Sequence, residues 1–156
     1  MNYNIRKLRE NEHKILAEFL YEAIYIPEGV EAPPKNIIEQ PELQLYISDW
    51  GKEHDYCLVA EVNDNIVGAA WTRIMNDYGH IDDKTPSFAI SLYKEYRGMG
   101  MGTELMKQML SVLKENGYEK ASLSVQRANY AYKMYLKLGF EIISENEEEF
   151  LMIIKL

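Results

Sequence analysis

The spacing of hydrophobic positions changes several times along the chain, and each change marks an element. Residues 3–8 read as a short strand. Over residues 10–25 the apolar side chains of Leu16, Phe19, Leu20, Ala23 and Ile24 share one face at helical spacing. Pro27, Gly29, Pro33 and Pro34 then force a loop. Pro41 suits the first turn of a second helix, expected to end near Trp50. Residues 56–62 and 66–75 are apolar, β-rich runs separated by Asn63, Asp64 and Asn65, which predicts an antiparallel hairpin. A polar loop covers 76–85. Residues 86–93 form a further strand, with Phe88, Ile90 and Leu92 alternating with smaller side chains.

The C-terminal half is more regular. Residues 98–116 make the strongest helix, with Leu105, Met106, Met109, Leu110 and Leu113 as its buried stripe and Asn116-Gly117 as its stop. A strand over 121–126 completes a strand–helix–strand unit with parallel strands. Asn129 caps a helix running to Leu138, which Gly139 ends. Strands over 140–144 and 150–155 close the chain, with the acidic turn 145–149 expected in solvent. The order β-α-α-β-β-β-α-β-α-β-β predicts a mixed α/β (α+β) sandwich, in which a hairpin sheet runs into one parallel crossover.

Length and composition narrow the function classes. The 156 residues suit one domain over 1–156, and 47% hydrophobic with 27% charged residues suits a globular chain. No apolar run reaches the roughly 20 residues of a membrane helix, and residues 1–14 lack the apolar core of a signal peptide. The single cysteine, Cys57, excludes an internal disulfide, and the expected compartment is the cytoplasm. His13, His54 and His80 are too scattered for a short-range metal motif, so no metal is expected. The net charge of −8 argues against nucleic acid. The charge is uneven, however. Residues 86–140 carry 8 Lys and Arg against 4 Asp and Glu, while the remainder carries 9 against 21. One segment suits an anion and the rest a cation.

The segment Tyr93-Lys-Glu-Tyr-Arg-Gly-Met-Gly-Met-Gly-Thr103 gives that anion a place. Gly98, Gly100 and Gly102 lie between a strand and a helix, where glycine lets backbone N–H groups converge on a ligand. The helix start adds unpaired N–H groups and partial positive charge, and Arg97 adds a forked full charge. A P-loop is excluded because no Gly-Lys-Ser/Thr ending is present. A dinucleotide fold would need glycine at Thr103 and an acid closing the next strand, where Glu119 instead precedes it.

These residues resemble the GNAT superfamily of acyl-CoA-dependent N-acyltransferases. Arg97, Gly100 and Gly102 fit its signature loop of Arg or Gln, two residues, Gly, one residue, then Gly or Ala. Asn129, Ala131, Tyr135, Lys137, Gly139 and Phe140 resemble a second signature, Asn…Ala…Tyr-x-Lys-x-Gly-Phe. The resemblance covers essentially the whole chain. It implies a mostly antiparallel central sheet with one splayed parallel strand pair, flanked by about four helices.

The resemblance further implies that acetyl-CoA is the cosubstrate, lying between the strand that ends at Tyr93 and the strand that ends at Gln126. It assigns pantetheine to the backbone of Ile90, Leu92 and Tyr93. The pyrophosphate falls to Arg97, Gly98, Met99, Gly100, Met101, Gly102 and Thr103, and Asn129 contacts the pantetheine arm. Tyr135 takes the position of the general acid that protonates the leaving thiolate, and a phenol near its ordinary pKa of about 10 is protonated at neutral pH. Tyr130 and Tyr132 lack the motif spacing. The strand over 86–93 carries no Asp or Glu, so a base must come from elsewhere. Asp82 and Asp83 are candidates through a water, beside His80. Glu28 and Glu31 in the loop after the first helix are candidates for binding a cationic amine: a polyamine, an aminoglycoside, a lysine side chain or a peptide N-terminus. The implied activity is direct acetyl transfer to a primary amine, with a homodimer paired through the apolar strand 150–156. The alternative from another class is a catalytically idle acyl-CoA-binding sensor or scaffold.

Overall fold

The computed structural model describes residues 2–156. Among these residues the strands are β1 (Asn4–Lys7), β2 (Tyr56–Val62), β3 (Asn65–Arg73), β4 (Ser87–Leu92), β5 (Lys120–Gln126), β6 (Glu141–Glu145) and β7 (Glu149–Lys155). The α-helices are α1 (Ile15–Ala23), α2 (Pro41–Gln44), α3 (Met101–Glu115) and α4 (Ala131–Leu138). The strands form one sheet in the order β1-β2-β3-β4-β5-β7-β6, antiparallel throughout except where β4 meets β5. The expected mixed sheet with one parallel pair is therefore present. No helix among the described residues is long and apolar enough to cross a membrane.

Alternation along the strands sorts the core into two layers. Leu58, Ala60, Ala70, Phe88 and Leu92 face α3, meeting Met101, Leu105, Met106, Met109 and Leu113. Val59, Ala69 and Trp71 face α1, meeting Leu16, Phe19 and Leu20. The β2–β3 turn is tighter than its sequence suggests. Asn63 and Asp64 adopt left-handed φ angles of 49° and 65°, so a two-residue turn suffices and Asn65 joins the strand.

Three expectations need correction. The first helix starts at Ile15, preceded by a 3-10 turn over Glu10–Glu12. Arg6 explains that turn: its guanidinium forks onto both carboxylate oxygens of Glu12 at 2.8 Å and also donates to Glu61. The second helix stops after Gln44 instead of reaching Trp50. Arg73 on β3 takes the carbonyls of Leu45 and Ser48 at 3.0 and 2.8 Å, and Asp49 turns left-handed with φ 53°. Last, residues 150–156 are not a free edge. β7 lies between β5 and β6, and β6 is the outer strand, exposing Ile142 and Ile143.

The Arg73 contacts hang on a buried ion pair. Asp55 accepts from Nε and Nη2 of Arg73 at 3.0 and 2.8 Å, and from the N–H groups of Gly51 and Lys52. The two side chains are only 3% and 2% exposed. Removing one charge would strand the other without water, so Asp55→Asn should cost about 3–5 kcal/mol, read by urea denaturation. The Arg6–Glu12 pair should show in the pH dependence of stability. The hydrogen bonds from Arg6 hold the Glu12 carboxyl at about 2, below its ordinary 4.5. Its contribution is complete above the unfolded value and is lost as pH falls through the folded one. Glu12→Gln should therefore lower Tm by about 2–4 °C at pH 7, for a pair worth about 1 kcal/mol. That gap should close in thermal melts between about pH 4.5 and 2.

Candidate active site

The site begins where the sheet fails to close. β4 and β5 share one residue pair, Ser87 with Ser122, marked by the Ser122 N–H donating to the Pro86 carbonyl at 3.0 Å. Beyond it the strands diverge. The Tyr93 N–H donates to Val67 of β3 at 3.0 Å. By alternation, the backbone groups of Ile90 and Leu92 point the other way, toward the gap. The amide of Tyr93 is thus committed to the sheet, while those of Ile90 and Leu92 face the cleft. The Tyr93 hydroxyl bonds to Glu18 of α1.

The chain leaves β4 through a 3-10 turn over Lys94–Tyr96 and enters the glycine loop. Gly98 and Gly100 have φ angles of 76° and 89°, and a Cβ built on either would meet nothing within 4 Å. Glycine is required there by backbone conformation, and the space beside it is open. Gly100 caps α3, whose first N–H groups lack intrahelical carbonyl partners. Met99 is exposed, whereas Met101 is buried in the core, so Met101 can serve a ligand only through its backbone. Arg97 donates from Nε to the Leu92 carbonyl at 2.9 Å and from Nη2 to Glu22 at 3.3 and 3.4 Å. It pins the end of β4 to α1 and leaves the loop N–H groups as the unspent donors. These residues fit a polyanion with an amide-bearing tail: open glycine backbone at the phosphates, then an unpaired strand edge.

On the far wall, the Asn129 side-chain oxygen accepts from the Ala131 N–H at 2.9 Å, which spends its acceptor on the start of α4 and leaves its NH₂ group free. Tyr135 is 7% exposed, with its ring edge-on to Phe140 at 6.0 Å. Its hydroxyl has no protein hydrogen-bond partner among the described residues, and burial pushes the phenol up to about 12.

The acidic candidates separate. Asp82 accepts from the Lys84 N–H at 2.8 Å and lies 3.6 Å from the Lys120 ammonium, both of which keep its carboxyl below the ordinary range. Asp83 is 99% exposed. Glu28 and Glu31 lie exposed in the loop after α1. That loop is tied across the cleft by the Tyr25 hydroxyl, which donates to the Ala128 carbonyl at 3.2 Å. Among the described residues no three His, Cys, Asp or Glu side chains gather as a metal site.

The family follows from the chain as a whole. Residues 21–153 match the family model described as acetyltransferase (GNAT) domain. The chain belongs to the GNAT acetyltransferase family. Mycothiol acetyltransferase of Corynebacterium glutamicum is 29% identical over 100 residues, covering 64% of this chain and 32% of that protein. The chain thus spans about a third of the length of this curated relative. Among solved structures, PaiA N-acetyltransferase of Thermoplasma acidophilum in complex with coenzyme A superposes with a TM-score of 0.74 at 22% identity, covering 100% of both chains. A GNAT-family acetyltransferase of Streptococcus pneumoniae gives 0.71 at 18% identity, covering 99% of each. At these identities the likeness shows the shared fold.

One group of residues gave no motif signal. Asp77, Tyr46, Ser87 and Glu149 come from four separate stretches of chain. The Tyr46 hydroxyl donates to Asp77 Oδ2 at 3.1 Å, and Ser87 Oγ lies 3.2 and 3.3 Å from the two carboxylate oxygens. Burial raises the Asp77 carboxyl above its ordinary range. Glu149 is raised as well, by burial first and then by Glu148 and Asp77. Residues 145–148 of the acidic turn are exposed, as expected, while Glu149 at its end is half-buried. The turn's carbonyls at Asn146 and Glu148 hold Arg127. Asp77 shares a polar loop with Asp82 and Asp83, and nothing in the spacing distinguishes it from them.

Proposed function

We propose that this chain transfers an acetyl group from acetyl-CoA to a primary amine by direct attack within a ternary complex. The observation that carries this reading is the unpaired β4 edge running straight into the open glycine loop at α3. A strand edge suits the amides of a pantetheine arm, and a glycine-lined helix start suits its phosphates. Family membership supports the same ligand, and the excess of Lys and Arg in residues 86–140 suits a polyanion.

In this reading, Ile90 and Leu92 hold the pantetheine arm, and a β4 N–H polarises the thioester carbonyl as the oxyanion develops. Gly98 through Thr103 hold the pyrophosphate with backbone N–H groups, and the free Asn129 NH₂ group steadies the arm. Tyr135, kept protonated by burial, donates a proton to the departing sulfur. Acidic side chains on the acceptor side, including Glu28 and Glu31, favour a cationic amine.

Acetyl-CoA at a hundred times its Kd should raise Tm by about 5–10 °C, since binding to the folded state alone adds about 2.7 kcal/mol. Gly100→Asp places bulk and negative charge in the phosphate space and should abolish that shift. An unchanged shift in a folded Gly100→Asp protein would remove the phosphate assignment. Tyr135→Phe keeps the ring against Phe140 and removes the proton. Thiol release assayed with an amine panel should show kcat falling by about 100- to 10,000-fold, with acetyl-CoA affinity nearly unchanged. Wild-type turnover in this variant, with chemistry rate-limiting, would dismiss the acid role.

A further inference from the structure

We propose that Asp77 is the general base that deprotonates the acceptor amine, with Tyr46 as a positioning residue. The proposal rests on the acetyl-transfer reading above. It begins with location. Asp77 is bonded to Ser87, the β4 residue of the single β4–β5 pair, so its carboxylate sits at the vertex of the cleft. Ile90, the first β4 residue beyond that pair to aim its backbone into the gap, is three residues further on, about 10 Å along the strand.

The face is the second argument. Phe88 and Leu92 pack toward α3, on the glycine-loop side. Ser91 faces the opposite side, where its hydroxyl donates to the Phe19 carbonyl of α1 at 2.6 Å, and Ser87 shares that side by alternation. Asp77 thus lies across the sheet from α3, which leaves the acceptor to approach from the α1 face while acetyl-CoA occupies the other.

The carboxylate is held by hydroxyl groups on a loop fixed to β5. The loop carrying it is seated on β5: the Ser122 hydroxyl donates to the Gly79 carbonyl at 2.6 Å, and a Cβ on Gly79 would stand 3.3 Å from Ser124 N. The groups facing Asp77 are Tyr46 from the segment after α2, Ser87 on β4 and Glu149 on β7, with His80 in its own loop. Among the described residues no Lys or Arg forms an ion pair with it. A carboxylate oriented by hydroxyls, with no paired cation, keeps its basicity. Asp82, held by Lys84 and Lys120, does not.

The step balances as follows. An ammonium N–H bond breaks and its proton forms an O–H bond on Asp77, which later releases it to solvent. The freed nitrogen pair forms the C–N bond to the acetyl carbon, and the C–S bond breaks. Sulfur receives the Tyr135 proton, and the second nitrogen proton restores that phenol. One ammonium and one thioester become one amide, one thiol and one proton.

The test measures thiol release with spermidine, kanamycin, an Nα-blocked lysine peptide and a free-N-terminus peptide, from pH 6 to 10. With the amine that wild type turns over, Asp77→Asn should lose about 100- to 10,000-fold in kcat/KM at pH 7. That loss should shrink toward pH 10, where an alkylamine deprotonates unaided. Asp77→Ala should regain turnover with added formate, and both variants should keep the Tm shift with acetyl-CoA. Activity of Asp77→Asn within threefold of wild type, or a loss equal at every pH without formate rescue, would overturn the assignment. A Tm shift lost in both variants would make Asp77 structural and overturn it equally. Wild type that binds acetyl-CoA yet acetylates none of the four amines would instead sink the transfer reading, and this proposal with it.

Discussion

Parallel strands that part after one residue pair leave backbone donors and acceptors inside a sheet that pairs them elsewhere. β4 is bonded to β3 along its whole length, while its other edge meets β5 only at Ser87 and Ser122. Unpaired backbone groups away from water are costly, so such a gap persists only where something other than a strand satisfies them. Arg97 does so at one point by taking the Leu92 carbonyl. The rest of the edge suits a ligand that carries its own amides. The glycine loop, the start of α3 and the α4 wall all take their positions from this gap.

The gap also divides the labour between the two faces of the sheet. α3 packs Met101, Leu105, Met106, Met109 and Leu113 against one face so tightly that the glycine loop at its start is held by the core itself. α1 packs Leu16, Phe19 and Leu20 on the other, and from there Glu18, Glu22 and the Phe19 carbonyl reach Tyr93, Arg97 and Ser91. The basic excess lies in the 86–140 segment, which carries β4, α3, β5 and α4 and suits an anion.

Asp55 and Asp77 differ in what holds them. Asp55 is locked by a guanidinium and two backbone N–H groups, and it organises the turns after α2 through Arg73. Tyr46 sits in those turns, where its carbonyl accepts from the Trp71 indole N–H at 3.0 Å. Its hydroxyl is thereby delivered to Asp77. The buried ion pair thus fixes the geometry around the Asp77 carboxylate.

Much of this was legible in the residues. Period-two and period-3.6 patterns located the strands and the long helix α3, because each buries a face along its own length. The glycines at 98 and 100 announced the turn into α3 because glycine accepts its left-handed backbone angles, and Asn129 announced the start of α4. What failed were features decided by distant partners. Arg73 ended the second helix by taking its carbonyls, Arg6 shaped the turn before α1, and β6 covered the strand that looked like an edge. The Asp77 group was invisible for the same reason. Local sequence carries periodicity, caps and turn chemistry, whereas a carboxylate's basicity depends on burial and on charges that only the folded chain brings within a few ångströms.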